Sequence, residues 1–169
     1  VMVNPGKVNA ESNLATAGDA IAVRIAIGLG PPPSGTYTDP EGRFIVAQVQ
    51  IPGIPPIIVV SAYFWTGQGL SDRNVRLLAE IGEIVAELGL PFIIAADFNM
   101  HPDVLAGALF EVILGGDIIA CLDQEGTCVM NREDGEICVS TMDFFVMATS
   151  IACMIEDVCI GTAPIPNHK

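Results

Sequence analysis

Asp97 and Asn99 stand where an apolar segment ends, directly after Ile93-Ile94-Ala95-Ala96 and either side of Phe98. A carboxylate there can orient and deprotonate a water, and a neutral carboxamide can donate to an anionic oxygen without repelling it. Asp143 lies inside a second apolar segment, where a buried carboxylate requires a partner, and His168 precedes the last residue. Tyr63 and Trp65 close another apolar run.

Each has a plainer reading. Asx residues after a strand often only satisfy backbone groups in a turn, and His168 could be merely exposed. Trp65 could stack on a base, but with no basic stripe beside it in the sequence it reads as a core or interface residue. His101 and Asp103 read as a turn and helix cap rather than a metal cluster. The acidic run Glu133-Asp134-Gly135-Glu136 reads as a solvated hairpin tip. Cys121, Cys128, Cys138, Cys153 and Cys159 are odd in number and contain no C-x-x-C pair, so reduced thiols are expected and zinc is not.

The elements that must position these groups follow from periodicity. Residues 19–27 alternate apolar and small or charged side chains and predict a buried strand, and the Pro-rich residues 28–42 predict a surface loop. Residues 43–51 and 57–63 predict two strands, antiparallel because a short Pro/Gly turn joins them. Leu77, Leu78, Ile81, Ile84, Val85 and Leu88 recur at helical spacing, with Ser71 offering its side-chain oxygen to the first amides and Gly89 ending the helix. Beyond it we expect a buried strand over 91–96, a helix over 103–114, a strand over 117–122 and a hairpin or loop over 126–140. A strand over 141–147, a helical turn over 150–154 and a strand over 156–160 complete the reading.

The chain has 169 residues, 51% of them hydrophobic, which suits one domain over 1–169 with a substantial core. Its formal charge of −13, from 20 acidic and 7 basic residues, disfavours tight non-specific binding to nucleic acid. Only 16% of residues are charged, which predicts an apolar surface covered by protein partners. No apolar run reaches the roughly 20 residues of a membrane-spanning helix. The first residues lack a secretory signal, and with the thiols this points to a reducing intracellular compartment.

Four motifs, in order, carry a resemblance. Ile93-Ile94-Ala95-Ala96-Asp97-Phe98-Asn99 resembles the apolar strand followed by G-D-F-N of the endonuclease/exonuclease/phosphatase superfamily. Ser61-Ala62-Tyr63 is similar to that family's strand ending in Tyr, Ser140-Thr141-Met142-Asp143-Phe144-Phe145 to its S-x-x-D-Y-F segment, and Asn167-His168 to its Asp-His pair. The stretch from Gly18 to Arg24 is most like the endonuclease domains of non-LTR retroelements.

The resemblance implies an α/β (α+β) fold: a two-layered, mixed β-sandwich flanked by helices, incomplete at both ends of this chain. It also implies roles. Asp97 would activate water, Asn99 and Tyr63 would donate to the scissile phosphate, and Asp143 would pair with a cationic His168. Mg²⁺ is the implied cofactor. The family's metal-binding Glu lies upstream of anything matched here, Glu11 is not its equivalent, and Asn167 replaces an expected Asp, so metal affinity should be poor.

Two functions are therefore expected near parity. One is a divergent metal-dependent phosphodiesterase or endonuclease-like domain, weakly active or inactive as this chain. The other is a non-catalytic structural or interaction subunit of a larger assembly. A phosphatase acting on a small phosphorylated molecule is a third.

Overall fold

The computed structural model describes residues 1–8, 15–16, 18–121, 126–131, 137–156 and 158. The strands are β1 (Met2–Asn4), β2 (Lys7–Val8), β3 (Ala15–Thr16), β4 (Asp19–Ile21), β5 (Gly28–Gly30), β6 (Phe44–Gln50) and β7 (Ile57–Tyr63), then β8 (Phe92–Asp97), β9 (Gly116–Ile119), β10 (Cys128–Asn131), β11 (Ile137–Ser140) and β12 (Asp143–Ala148). The helices are α1 (Asp72–Leu88), α2 (Pro102–Gly107), α3 (Phe110–Leu114) and α4 (Thr149–Ala152). Six strands form one mixed sheet in the order β5-β6-β7-β8-β12-β9, and β1-β4, β2-β3 and β10-β11 are separate antiparallel pairs.

β6 and β7 are antiparallel, as their Pro/Gly turn predicts. β7 and β8 are parallel, because α1 carries the chain back over the sheet before β8 begins. Alternation then sorts the side chains. Ile58, Val60, Ala62, Phe92, Ile94, Phe144 and Val146 face the buried stripe of α1, formed by Leu77, Leu78, Ile81, Ile84 and Val85. On the opposite face, Ile45, Ala47 and Val59 pack with Ile21 and Met2 of the β1-β4 pair. This is the expected mixed α/β sandwich.

Several boundaries differ from expectation, each for a local reason. The strand predicted over 19–27 stops at Ile21, where β1 runs out of pairing positions (Met2 opposes Ile21), and Ile25 is fully exposed in a turn. Residues 28–42 are not all loop, since Gly28–Gly30 finds backbone partners on β6. The helix predicted over 103–114 is two helices broken at Leu109, whose φ is 56°. Ser71 precedes α1, but its hydroxyl donates to Gln68 Oε1 and caps no amide. Gly89 ends α1 in the left-handed conformation, its N–H on Val85 O, as predicted. No described helix is long and apolar enough to cross a membrane. The strand expected over 156–160 and the acidic run Glu133–Glu136 lie largely or wholly outside the described residues.

Candidate active site

The parallel β7-β8 pair and the antiparallel β8-β12 pair bring three strand ends to one edge of the sheet. Tyr63 stands opposite Asp97, and Asp97 opposite Asp143, all three on the face away from α1. The Phe98 N–H donates to Met142 O (2.9 Å), so 98 and 142 form the hydrogen-bonded pair and Asp97–Asp143 the closer, non-hydrogen-bonded one. Their Cβ atoms are then about 5 Å apart.

The residue after each of these three is a buried phenylalanine on the helix side. Phe64, Phe98 and Phe144 stack in series, with centroids 5.0 and 4.2 Å apart. An aromatic column therefore backs a polar edge.

Asp97 is half-buried, and burial, then the facing Asp143 carboxylate, raise its pKa above the usual range against the hydrogen bonds from Asn99. Asp97 Oδ1 accepts the Asn99 N–H at 3.0 Å, with Asn99 at a φ of 52°. Asn99 Nδ2 donates to Phe64 O at 2.9 Å. The Asx-turn arrangement is thus present, and it coexists with the convergence of the motif residues. Asp143 is exposed, not buried; its N–H and that of Met142 both donate to Thr127 Oγ1, at 2.9 and 2.8 Å. A concavity of about 360 Å³ opens here, lined by Ser61, Ala95, Asp97, Thr127, Asp143 and Phe145 among others.

His168 and Asn167, along with Glu11 and Cys159, lie outside the described residues. His101 is the helix cap predicted, its Nδ1 accepting the Asp103 N–H at 3.3 Å. Among the described residues no group of three or more His, Cys, Asp or Glu is arranged to hold a metal. Asp97 and Asp143 are the described carboxylates that face each other across this edge.

Two residues at this edge escape motif reasoning. Asn74 is fully buried in the first turns of α1; its Oδ1 accepts the Trp65 N–H (3.0 Å) and its Nδ2 donates to Trp65 O (3.2 Å) and Gly69 O (2.7 Å). Its signal was a polar residue on the apolar stripe, three and four positions before Leu77 and Leu78. The other is Asp19, 9% exposed, whose Oδ1 accepts the Ser61 hydroxyl at 2.9 Å while Oδ2 is buried without a partner.

Burial pushes Asp19 up to about 6 from an ordinary value of 3.8, against the lowering effect of Ser61 and Arg43. The folded state therefore binds the proton more tightly than the unfolded chain, and this stabilisation is full below pH 3.8 and lost as pH rises through about 6. Asp19→Asn should remove that loss. Relative to the unsubstituted chain it should gain on the order of 2–3 kcal/mol between pH 4 and pH 7.5 in urea titrations. A pH-independent difference would show that Asp19 ionises freely.

No family model matches the chain, and neither does any curated protein. Among solved structures it is similar to the endonuclease domain of TRAS1, a telomere-specific non-LTR retrotransposon, with 17% identity and a TM-score of 0.66 over 92% of this chain and 70% of that one. Truncated TDP2 from Caenorhabditis elegans superposes with 10% identity and a TM-score of 0.51, over 75% of this chain and 54% of that one. An endonuclease/exonuclease/phosphatase family protein from Bacteroides thetaiotaomicron matches more distantly, with 19% identity and a TM-score of 0.44 over 63% of this chain and 40% of that one. With the strand order and the Tyr63–Asp97–Asp143 edge in place, the chain has an endonuclease/exonuclease/phosphatase-like fold.

Proposed function

We propose that the chain is a divergent phosphodiesterase or endonuclease-like domain, weakly active or inactive as it stands, with Mg²⁺ the cofactor its resemblance implies. The observation that supports this reading is the convergence of Tyr63, Asp97 and Asp143, with Asn99 one turn away, at one sheet edge. In it, Asp97 orients a water and takes its proton, and the raised proton affinity of Asp97 suits a base working nearer neutrality. Asn99 and Tyr63 donate to phosphate oxygens, and Asp143 holds His168 cationic beside them. The net charge of −13 and the neutral Asn167 beside His168 keep the expected rate low.

Supercoiled plasmid, single-stranded DNA and a chromogenic diester should each be incubated with the chain and Mg²⁺ or Mn²⁺, next to Asp97→Ala. Little or no turnover by the unsubstituted chain is expected. Any residual turnover should fall by roughly 100-fold or more on removing the base. Brisk metal-dependent cleavage abolished by Asp97→Ala would contradict the low rate, and residual cleavage indifferent to that substitution would contradict the site.

A non-catalytic assembly subunit is the second reading, and one observation favours it. An apolar groove of about 460 Å³ runs between α1 and α3, lined by Leu70, Val75, Leu78, Phe110, Ile113 and Leu114 among others. Next to it Leu109, Val112 and Ile113 are 57%, 62% and 77% exposed. Such a surface suits a protein partner.

A further inference from the structure

We propose that Trp65, flanked by Arg43 and Arg73, is a subsite for an unpaired nucleobase next to the phosphate at the Asp97 edge, which makes the favoured polymer single-stranded. The inference rests on the phosphodiesterase reading only for the position of that phosphate.

Trp65 lies two residues beyond Tyr63, whose register partner is Asp97, and the Arg43 guanidinium stands over both rings, which puts Trp65 beside Tyr63. Its position is fixed from behind, because buried Asn74 holds both its N–H and its carbonyl. The ring is half-buried against the core, with part of its surface open. A rigid, partly open aromatic is what a base needs in order to stack without paying to order the platform.

Two guanidiniums gather at this ring, although the Asp39 carboxylate accepts the Arg43 backbone N–H at 2.9 Å and Asp19 lies within electrostatic reach of Arg43. Arg43 stands 4.5 Å from the Trp65 centroid and 5.3 Å from that of Tyr63, and Arg73 stands 5.1 Å from Trp65. The chain has 7 basic residues against 20 acidic, yet neither guanidinium forms an ion pair among the described residues. Arg43 Nε is buried with no hydrogen-bond partner, and its Nη1 reaches only the Tyr63 carbonyl, at 3.5 Å. Arg73 projects from the exposed first turn of α1 and is free to leave the ring for a phosphate as a base arrives. The sequence conceals this grouping, since positions 43, 65 and 73 meet only once β6, β7 and α1 are assembled. A duplex presents base edges, not base faces, to such a ring, so the subsite selects single strands.

Trp65 is the chain's one tryptophan, so its emission reports the subsite alone. The probes are octathymidylate and an abasic octamer of equal charge, titrated in EDTA and low salt, with labelled versions followed by anisotropy. Saturable quenching by octathymidylate is expected, with binding roughly five-fold or more tighter than the abasic strand, as one base–aromatic stack would give. Trp65→Ala should bring octathymidylate down to the abasic level, and Trp65→Phe should keep most of the preference, which guards against a folding defect. Equal binding of the two strands, no binding of either, or a preference that survives Trp65→Ala would overturn the proposal. Diester hydrolysis is read separately: base-dependent quenching in a chain that hydrolyses nothing would leave the subsite standing and count against the nuclease reading.

Discussion

Phe98→Ala is expected to cost about 3–5 kcal/mol and to loosen the polar edge as it does so. Phe98 is fully buried and is the middle ring of the Phe64–Phe98–Phe144 column, so truncation removes two aromatic contacts at once and leaves a cavity behind Asp97. The column joins β7, β8 and β12 on the helix side, and the three polar residues ride on the same backbone segments facing the other way. Phe98→Leu should lose about 1.5 kcal/mol or less if volume alone matters, and more if ring stacking contributes. Urea unfolding at pH 5, where Asp19 is mostly protonated, gives the cleanest comparison. A loss under about 1 kcal/mol for the alanine variant would mean that the edge is held by strand pairing alone.

The second large effect is expected at Asn74. Its side chain makes three hydrogen bonds to the 65–69 loop, and Asn74→Ala leaves one N–H and two carbonyls without those partners. A buried polar group left unpaired costs about 1–3 kcal/mol, partly offset here because alanine is the better helix former and the loop can rehydrate. The expected loss is about 2–4 kcal/mol. Emission of Trp65 should shift to the red in the folded variant as its backbone is released. Asn74→Asp offers an acceptor to the Trp65 N–H but sets a carboxylate against two carbonyls, so it should be no better than alanine below its midpoint of unfolding. An unchanged emission maximum together with an unchanged stability would contradict the role assigned to Asn74.

What could be read from the sequence was what depends on local pattern. The helix over α1, its end at Gly89 and the β6-β7 hairpin declare themselves through spacing, while the grouping of Tyr63, Asp97 and Asp143 came from the family resemblance. Features set by pairing partners did not. The alternation at 19–27 is a genuine strand pattern, but β1 offers only three residues to pair with it, so the strand ends early. Gly28–Gly30 has no strand propensity, yet β6 supplies partners and makes it one. Asp19 looked like the polar start of a strand, and its burial against Ser61 is a long-range event across 42 residues. The guanidiniums around Trp65 were invisible for the same reason, and a reading that looked for a basic stripe in the sequence found none.

The ends of the six-stranded sheet bear on edge-to-edge pairing in so apolar a chain. Seven-residue β6 and β7 and six-residue β8 and β12 are the long, hydrophobic strands, and all four are interior to the strand order. The borders are β5, three residues of which two are glycine, and β9, four residues that begin with Gly116 and expose Asp117. Short, glycine-bearing or charged borders give a second sheet little to zip onto. At Gly116 a Cβ would stand 2.6 Å from the Met147 carbonyl oxygen and 2.9 Å from the Phe92 ring, so any side chain there would push β9 off β12. With β9 displaced, β12 would become the border, presenting Phe145 and Met147 along an unpaired edge, and the chain would gain the template for fibril-like stacking that its present strand order withholds.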